Sequence, residues 1–178
     1  MKTITLTVYP FSELDEKGKA RAKQDHQSIW GYSWSKDALM SLAKLAQHFG
    51  GKLVNYEIDW FNCSPSFATF DMPDLTKQEI RGAISKLGSY NRRTGRGDGE
   101  CVLTGYCGDE DAIDGLRAAF RRGVTDLPEL MQAAFKTWLH ASQVDCEGQY
   151  SDDQFGETCD SNGYLFFANG KIAPKSEA

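Results

Sequence analysis

From Val54 the chain alternates apolar and polar positions, with Val54, Tyr56, Ile58 and Trp60 on one face and Asn55, Glu57 and Asp59 on the other. A period of two is that of a half-buried strand, and SPSFATFD is placed to return beside it as the second arm of a hairpin. The opening ITLTVYPF alternates in the same way through Ile4, Leu6 and Val8 and also reads as a strand. Elsewhere the period is helical. Ser12 stands before ELDEKGKARAKQDH, a polar helix with acids near its start, and Ser35 before KDALMSLAKLAQHF, where Leu39, Leu42, Ala46 and Phe49 repeat and Gly50-Gly51 marks the stop.

Thr76 with Glu79 three residues on, and Leu75 set to meet Ile80, forms a complete start signal for a helix burying Ile80, Ile84 and Leu87 and stopping at Gly88. A glycine- and arginine-rich loop then leads into a predicted strand, ECVLTGYC. GDEDAIDGLRAAFRRG reads as a helix burying Ile113, Leu116 and Phe120. Asp126 caps LPELMQAAFKTWLHAS, with Met131, Phe135, Trp138 and Leu139 at core spacing. Ser151 with Gln154 starts a short helix, and YLFFANGKI closes the chain as a strand with a turn at Asn169-Gly170. Strands separated irregularly by helices predict an α+β fold: a small, mainly antiparallel sheet covered by helices, as one domain over 1–173 with a frayed tail at 174–178.

Composition changes this picture little. The 178 residues are 40% hydrophobic and 25% charged, a globular balance, and no apolar run is long enough to span a bilayer. The alternating start does not read as a signal peptide. Five dispersed cysteines therefore read as reduced thiols in cytoplasm, some of them core residues. A net charge of −5 argues against wrapping a long nucleic acid.

Charge placement matters more than its sum. Lys77, Arg81, Lys86, Arg92, Arg93 and Arg96 face only Glu79 in sequence, whereas 98 to 114 holds Asp98, Glu100, Asp109, Glu110, Asp111 and Asp114 with no base. Two adjacent segments of opposite sign are either a docking surface or mutually neutralising. A second acidic run, Asp145, Glu147, Asp152, Asp153, Glu157 and Asp160, is open between a solvated helix face and an imitation of a phosphate row. Trp30, Tyr32 and Trp34 alternate in a connection between helices, either as interface anchors or as rings closing the core edge.

Chemistry fares less well. TGRGDGE follows a helix and enters a strand, the wrong context for a phosphate or dinucleotide loop, and GxSxG is absent. His26, His48 and His140 are the only histidines, no cysteine pair has zinc-site spacing, and His26 and His48 read as ordinary surface residues. No catalytic residue, metal ligand or cofactor site is expected.

The segments FSELDEKGKARA, GYSW, FGG, YEIDW, GDGECVLTGYC and YSDDQFGETCDSNGYLFFANGK resemble a family of uncharacterised phage and prophage proteins loosely labelled "antitoxin of toxin-antitoxin stability system". The shared pattern falls on Gly97, Asp98 and Gly99 and on Asn162, Tyr164, Phe166 and Gly170, read as structural positions. The resemblance implies an accessory phage protein in the cytoplasm of a bacterial host, more a binder than an enzyme. Its expected partner is a host protein or ribonucleoprotein complex, including a defence system such as CRISPR, with no membrane. The expected contacts are Arg92, Arg93, Arg96, Asp98, Glu100, Trp30, Tyr32 and Trp34. Direct nucleic-acid binding through the basic stripe 77–96 is the first alternative, and a small enzyme or nucleotide-binding regulator the second.

Overall fold

The fold was analysed in a computed structural model, which describes residues 7–61, 64–88, 90–91, 96–97, 103–105 and 108–174, the side chains of 90, 91, 96 and 97 excepted. The elements run α1 (Glu16–Trp30), α2 (Ser35–His48), β1 (Lys52–Glu57), β2 (Phe67–Asp71), α3 (Lys77–Lys86), β3 (Tyr90–Asn91), β4 (Arg96–Gly97), α4 (Gly108–Arg121), α5 (Leu127–Gln149) and α6 (Asp152–Asn162). This is the expected α+β class, a short antiparallel sheet with several helices. The chain divides into two compact units. A split unit is drawn from Met1–Ser33 and Asp145–Ala178, and a continuous unit from Trp34–Val144.

The continuous unit has a mainly aliphatic core. Ala38, Leu42, Leu45 and Ala46 of α2 are buried with Ala112, Leu116 and Ala119 of α4, Leu130, Met131 and Ala134 of α5, and Trp138. Small residues let the helices close in: a Cβ at Gly115 would lie 2.6 Å from Thr137 Oγ1 and 2.8 Å from the Ala133 carbonyl oxygen. α3 starts as expected, with Thr76 Oγ1 accepting from the Glu79 N–H at 3.3 Å and Glu79 Oε2 accepting from the Thr76 N–H at 2.8 Å. Its end is held by Arg117, whose guanidinium donates to the Leu87 carbonyl. Asp126 caps α5 by accepting from the Glu129 N–H at 3.0 Å.

The hairpin forms, but not on the expected face. β1 pairs antiparallel with β2, Leu53 opposite Phe70 and Asn55 opposite Thr69, so Val54 is an extra, bulged residue. The bulge puts Leu53 and Tyr56 on the face of Phe70 and Ala68, and leaves Val54 57% exposed. Strand β1 ends at Glu57 rather than running on through Trp60, because the Asp59 carboxylate draws the chain into a turn. It accepts from the Phe61 N–H at 2.8 Å and the Ser64 N–H at 2.6 Å.

The predicted strand ECVLTGYC is corrected where it is described: 103–105 is a bend. The Asp109 carboxylate, buried at the start of α4, accepts from the N–H groups of Thr104 and Gly105, both at 2.8 Å, and from the Thr104 hydroxyl. A buried carboxylate must be satisfied in this way, and the chain bends to do it. Ahead of it, the loop contributes a short ladder, Tyr90 opposite Gly97 and Asn91 opposite Arg96.

The split unit has an aromatic core. Phe11 meets Phe155 edge-on with ring centroids 5.0 Å apart and Phe166 at 6.1 Å. Helix α1 begins after Asp15, not Ser12: Phe11–Glu13 forms a short 3₁₀ turn, and Asp15 Oδ1 accepts from the Gly18 N–H at 2.7 Å. The helix also runs on to Trp30. Likewise α2 begins at Ser35 with Trp34 before it, so Ser35 is inside the first turn rather than capping it. Helix α5 continues past Ser142 to Gln149, and Ser151 caps α6. The closing segment is not a continuous strand; Phe166 alone bridges Tyr9 on one side and Ile172 on the other. Its turn carries Gly170 at φ +80, where a Cβ would collide with the Gly18 carbonyl of α1. Of the expected first strand ITLTVYPF, residues 4–6 lie outside the described residues and the rest is not a strand, Tyr9 alone bridging to Phe166; of the tail, 175–178 lie outside the described residues.

Candidate functional site

Of the expected contact residues, Arg92, Arg93, Asp98 and Glu100 lie outside the described residues, and Arg96 is described only as backbone in β4. The described part of the basic stripe is not continuous. Lys77 and Arg81 are one turn apart on α3, while Lys86, nine residues after Lys77, points to the opposite side of a helix turning about 100° per residue. The three aromatics have different roles. Tyr32 is 3% exposed and its hydroxyl donates to Asp145 Oδ2 at 2.7 Å, so it closes the core. Trp34 is half exposed in the continuous unit, and Trp30, the last residue of α1, is 49% exposed in the split unit.

Trp30 belongs to a built surface. Lys19, Lys23, His26 and Trp30 recur every three or four residues and form one stripe along α1. Lys19 and Lys23 pair with Asp152 at the start of α6. Further along, His26 packs against Trp30 at 4.5 Å and edge-on to Phe155 at 5.1 Å. Trp30 stacks on Tyr164, just past α6, at 6.0 Å with ring planes 28° apart. The stripe thus runs from ion pairs at one end of α6 to the exposed Trp30 ring at the other, with Ile29 and Leu165 also exposed.

A hydrogen-bonded pair lies beside the rings. Tyr150 Oη donates to the Gly31 carbonyl at 3.1 Å, and His26 Nδ1 lies 2.9 Å from the same Tyr150 oxygen. Burial holds the His26 pKa below its ordinary value. Burial, with the negative potential of Cys146, pushes Tyr150 up to about 12, so its hydroxyl remains protonated at ordinary pH.

The remaining polar groups make structural bonds. His48 Nε2 donates to the Ala83 carbonyl at 2.9 Å. Cys146 and Cys159 are buried, and burial, with Asp160 adding to it, pushes the Cys159 thiol up to about 12. Such a thiol holds its proton and is a poor nucleophile. Among the described residues no three His, Cys, Asp or Glu side chains cluster to hold a metal, and no helix is long and apolar enough to cross a membrane. A groove of about 520 Å³ lies between α4 and α5, floored by Gly115 and Ala118 and edged by Arg122, Glu129 and Lys136.

No protein-family model, curated protein or solved structure matches this chain. Sequence reading missed His26, Tyr150 and Tyr164 as parts of one surface. The signal for His26 was its place on the α1 stripe between Lys23 and Trp30; nothing local to Tyr150 marks it.

Proposed function

We propose that the protein is a non-catalytic binding protein that docks on a host protein or ribonucleoprotein complex and modulates it, a bacterial defence complex being the expected target. The phage setting comes from the sequence resemblance alone. The observation that carries the docking reading is the half-exposed Trp30 stacked on Tyr164 above the hydrogen-bonded His26–Tyr150 pair. An aromatic pair held in place before binding loses little side-chain freedom on contact, and Trp and Tyr are favoured interface anchors. The test is affinity capture from bacterial lysate with the natural chain, with Trp30→Ala, and with alanine at Arg92, Arg93, Arg96, Asp98 and Glu100. The docking reading expects the Trp30→Ala protein, folded by circular dichroism, to lose a partner that the natural chain retains. Retention of every partner by Trp30→Ala removes it.

A further inference from the structure

We infer that the Trp30–Tyr164 face receives a basic, arginine-bearing segment of its protein partner; the inference rests on the docking reading above and names the partner's chemistry. Two observations converge. The exposed indole of Trp30 offers the aromatic face that attracts cations most strongly, and a planar guanidinium stacks on such a face while remaining weakly hydrated. The helix leading into Tyr164 carries four acids, Asp152, Asp153, Glu157 and Asp160, and no base.

Asp152 is engaged by Lys19 and Lys23, and Glu157 accepts from the Gln154 amide at 3.4 Å. Asp153 and Asp160 take no ion-pair partner among the described residues, which leaves negative charge on the helix that ends at the shelf. An aromatic face beside a helix that carries four acids suits a ligand rich in N–H donors and positive charge. The same charge repels phosphate, which sets nucleic acid apart as the opposite outcome.

The experiment uses the full chain and fluorescein-labelled probes read by anisotropy: hexa-arginine, hexa-lysine, hexa-glutamate and a twelve-nucleotide single-stranded DNA. Hexa-arginine should bind most tightly, hexa-lysine more weakly, and the two anionic probes not at all. Trp30→Leu keeps an apolar side chain but removes the aromatic face, and should weaken hexa-arginine binding about three- to tenfold. Asp153→Asn with Asp160→Asn should flatten the salt dependence while leaving the difference between arginine and lysine in place.

Unchanged affinity in Trp30→Leu, equal binding of hexa-arginine and hexa-glutamate, or tighter binding of the oligonucleotide overturns the inference. Its failure is distinguishable from failure of the docking reading. If Trp30→Ala loses the lysate partner but excess hexa-arginine does not compete with that partner, docking stands and the basic segment falls. If Trp30→Ala keeps the partner, docking itself falls.

Discussion

The split unit and the continuous unit hold together by different means. In the continuous unit the core is mainly aliphatic and alanine-rich, with Trp138 buried among it. In the split unit, the decisive contacts join segments separated by the whole of Trp34–Val144: Tyr9 with Phe166, Lys23 with Asp152, His26 with Tyr150. Its core is a set of rings, Phe11, Phe155 and Phe166, with hydrogen-bonded Tyr and His at the margin. Contacts of long sequence separation carry a larger loop-closure cost, so the split unit depends more heavily on each anchor.

The sharpest way to break this comparison is to remove one anchor from each side. Phe166→Ala should cost about 3–5 kcal/mol, as large-to-small changes at buried rings do. Hydrogen exchange should show α1 and α6 losing protection while α2 and α4 keep theirs. Equal loss throughout would mean that both units unfold as one cooperative block. Trp138→Ala is the matching change in the continuous core, with protection expected to fall first in α4 and α5.

A smaller effect, about 1–3 kcal/mol, is expected from added methyl groups at close backbone approaches. Gly170→Ala strains a positive φ as well as meeting the Gly18 carbonyl, whereas Gly115→Ala meets a Thr137 side chain that has some freedom to turn. Urea denaturation should therefore rank Gly170→Ala as the more damaging of the two. Smaller again, Thr76→Ala removes a helix cap and should cost about 1 kcal/mol, visible as a lowered midpoint without a change in slope.

The mildest test uses pH. Burial lowers the His26 pKa, so between 6.5 and its depressed folded value the unfolded chain binds more protons than the folded one. Stability of the split unit should fall as pH is lowered through that window and level off below it. His26→Gln should flatten the slope; an unchanged slope in that variant would assign it to another group.

What the sequence made legible was local. The start signals at Thr76, Asp126 and Ser151 act within one turn, and all three cap as read. The α+β class followed from the periodicities. The face of β1 was misread because a single bulged residue reverses inward and outward positions, and no residue type at Val54 announces it. Helix α5 ran past the predicted Ser142 because nothing in VDCEGQ forbids a helix and Tyr150 and Cys146 gain burial by it. The aromatic shelf was visible only as separate residues. Trp30 was noticed for its type and Tyr164 for its motif, but what joins them is contact between distant segments, which a local pattern does not encode.

The bulge at Val54 has a further consequence. Among the described residues no third strand pairs with the β1–β2 sheet, and it displays Val54, Tyr56 and Phe67 to solvent. A flat ribbon of that composition would invite stray chains to zip onto it. The extra residue coils the ribbon and breaks the even spacing a newcomer would need, so the hairpin resists self-association through its geometry, and shortening it by that one residue would trade solubility for straightness.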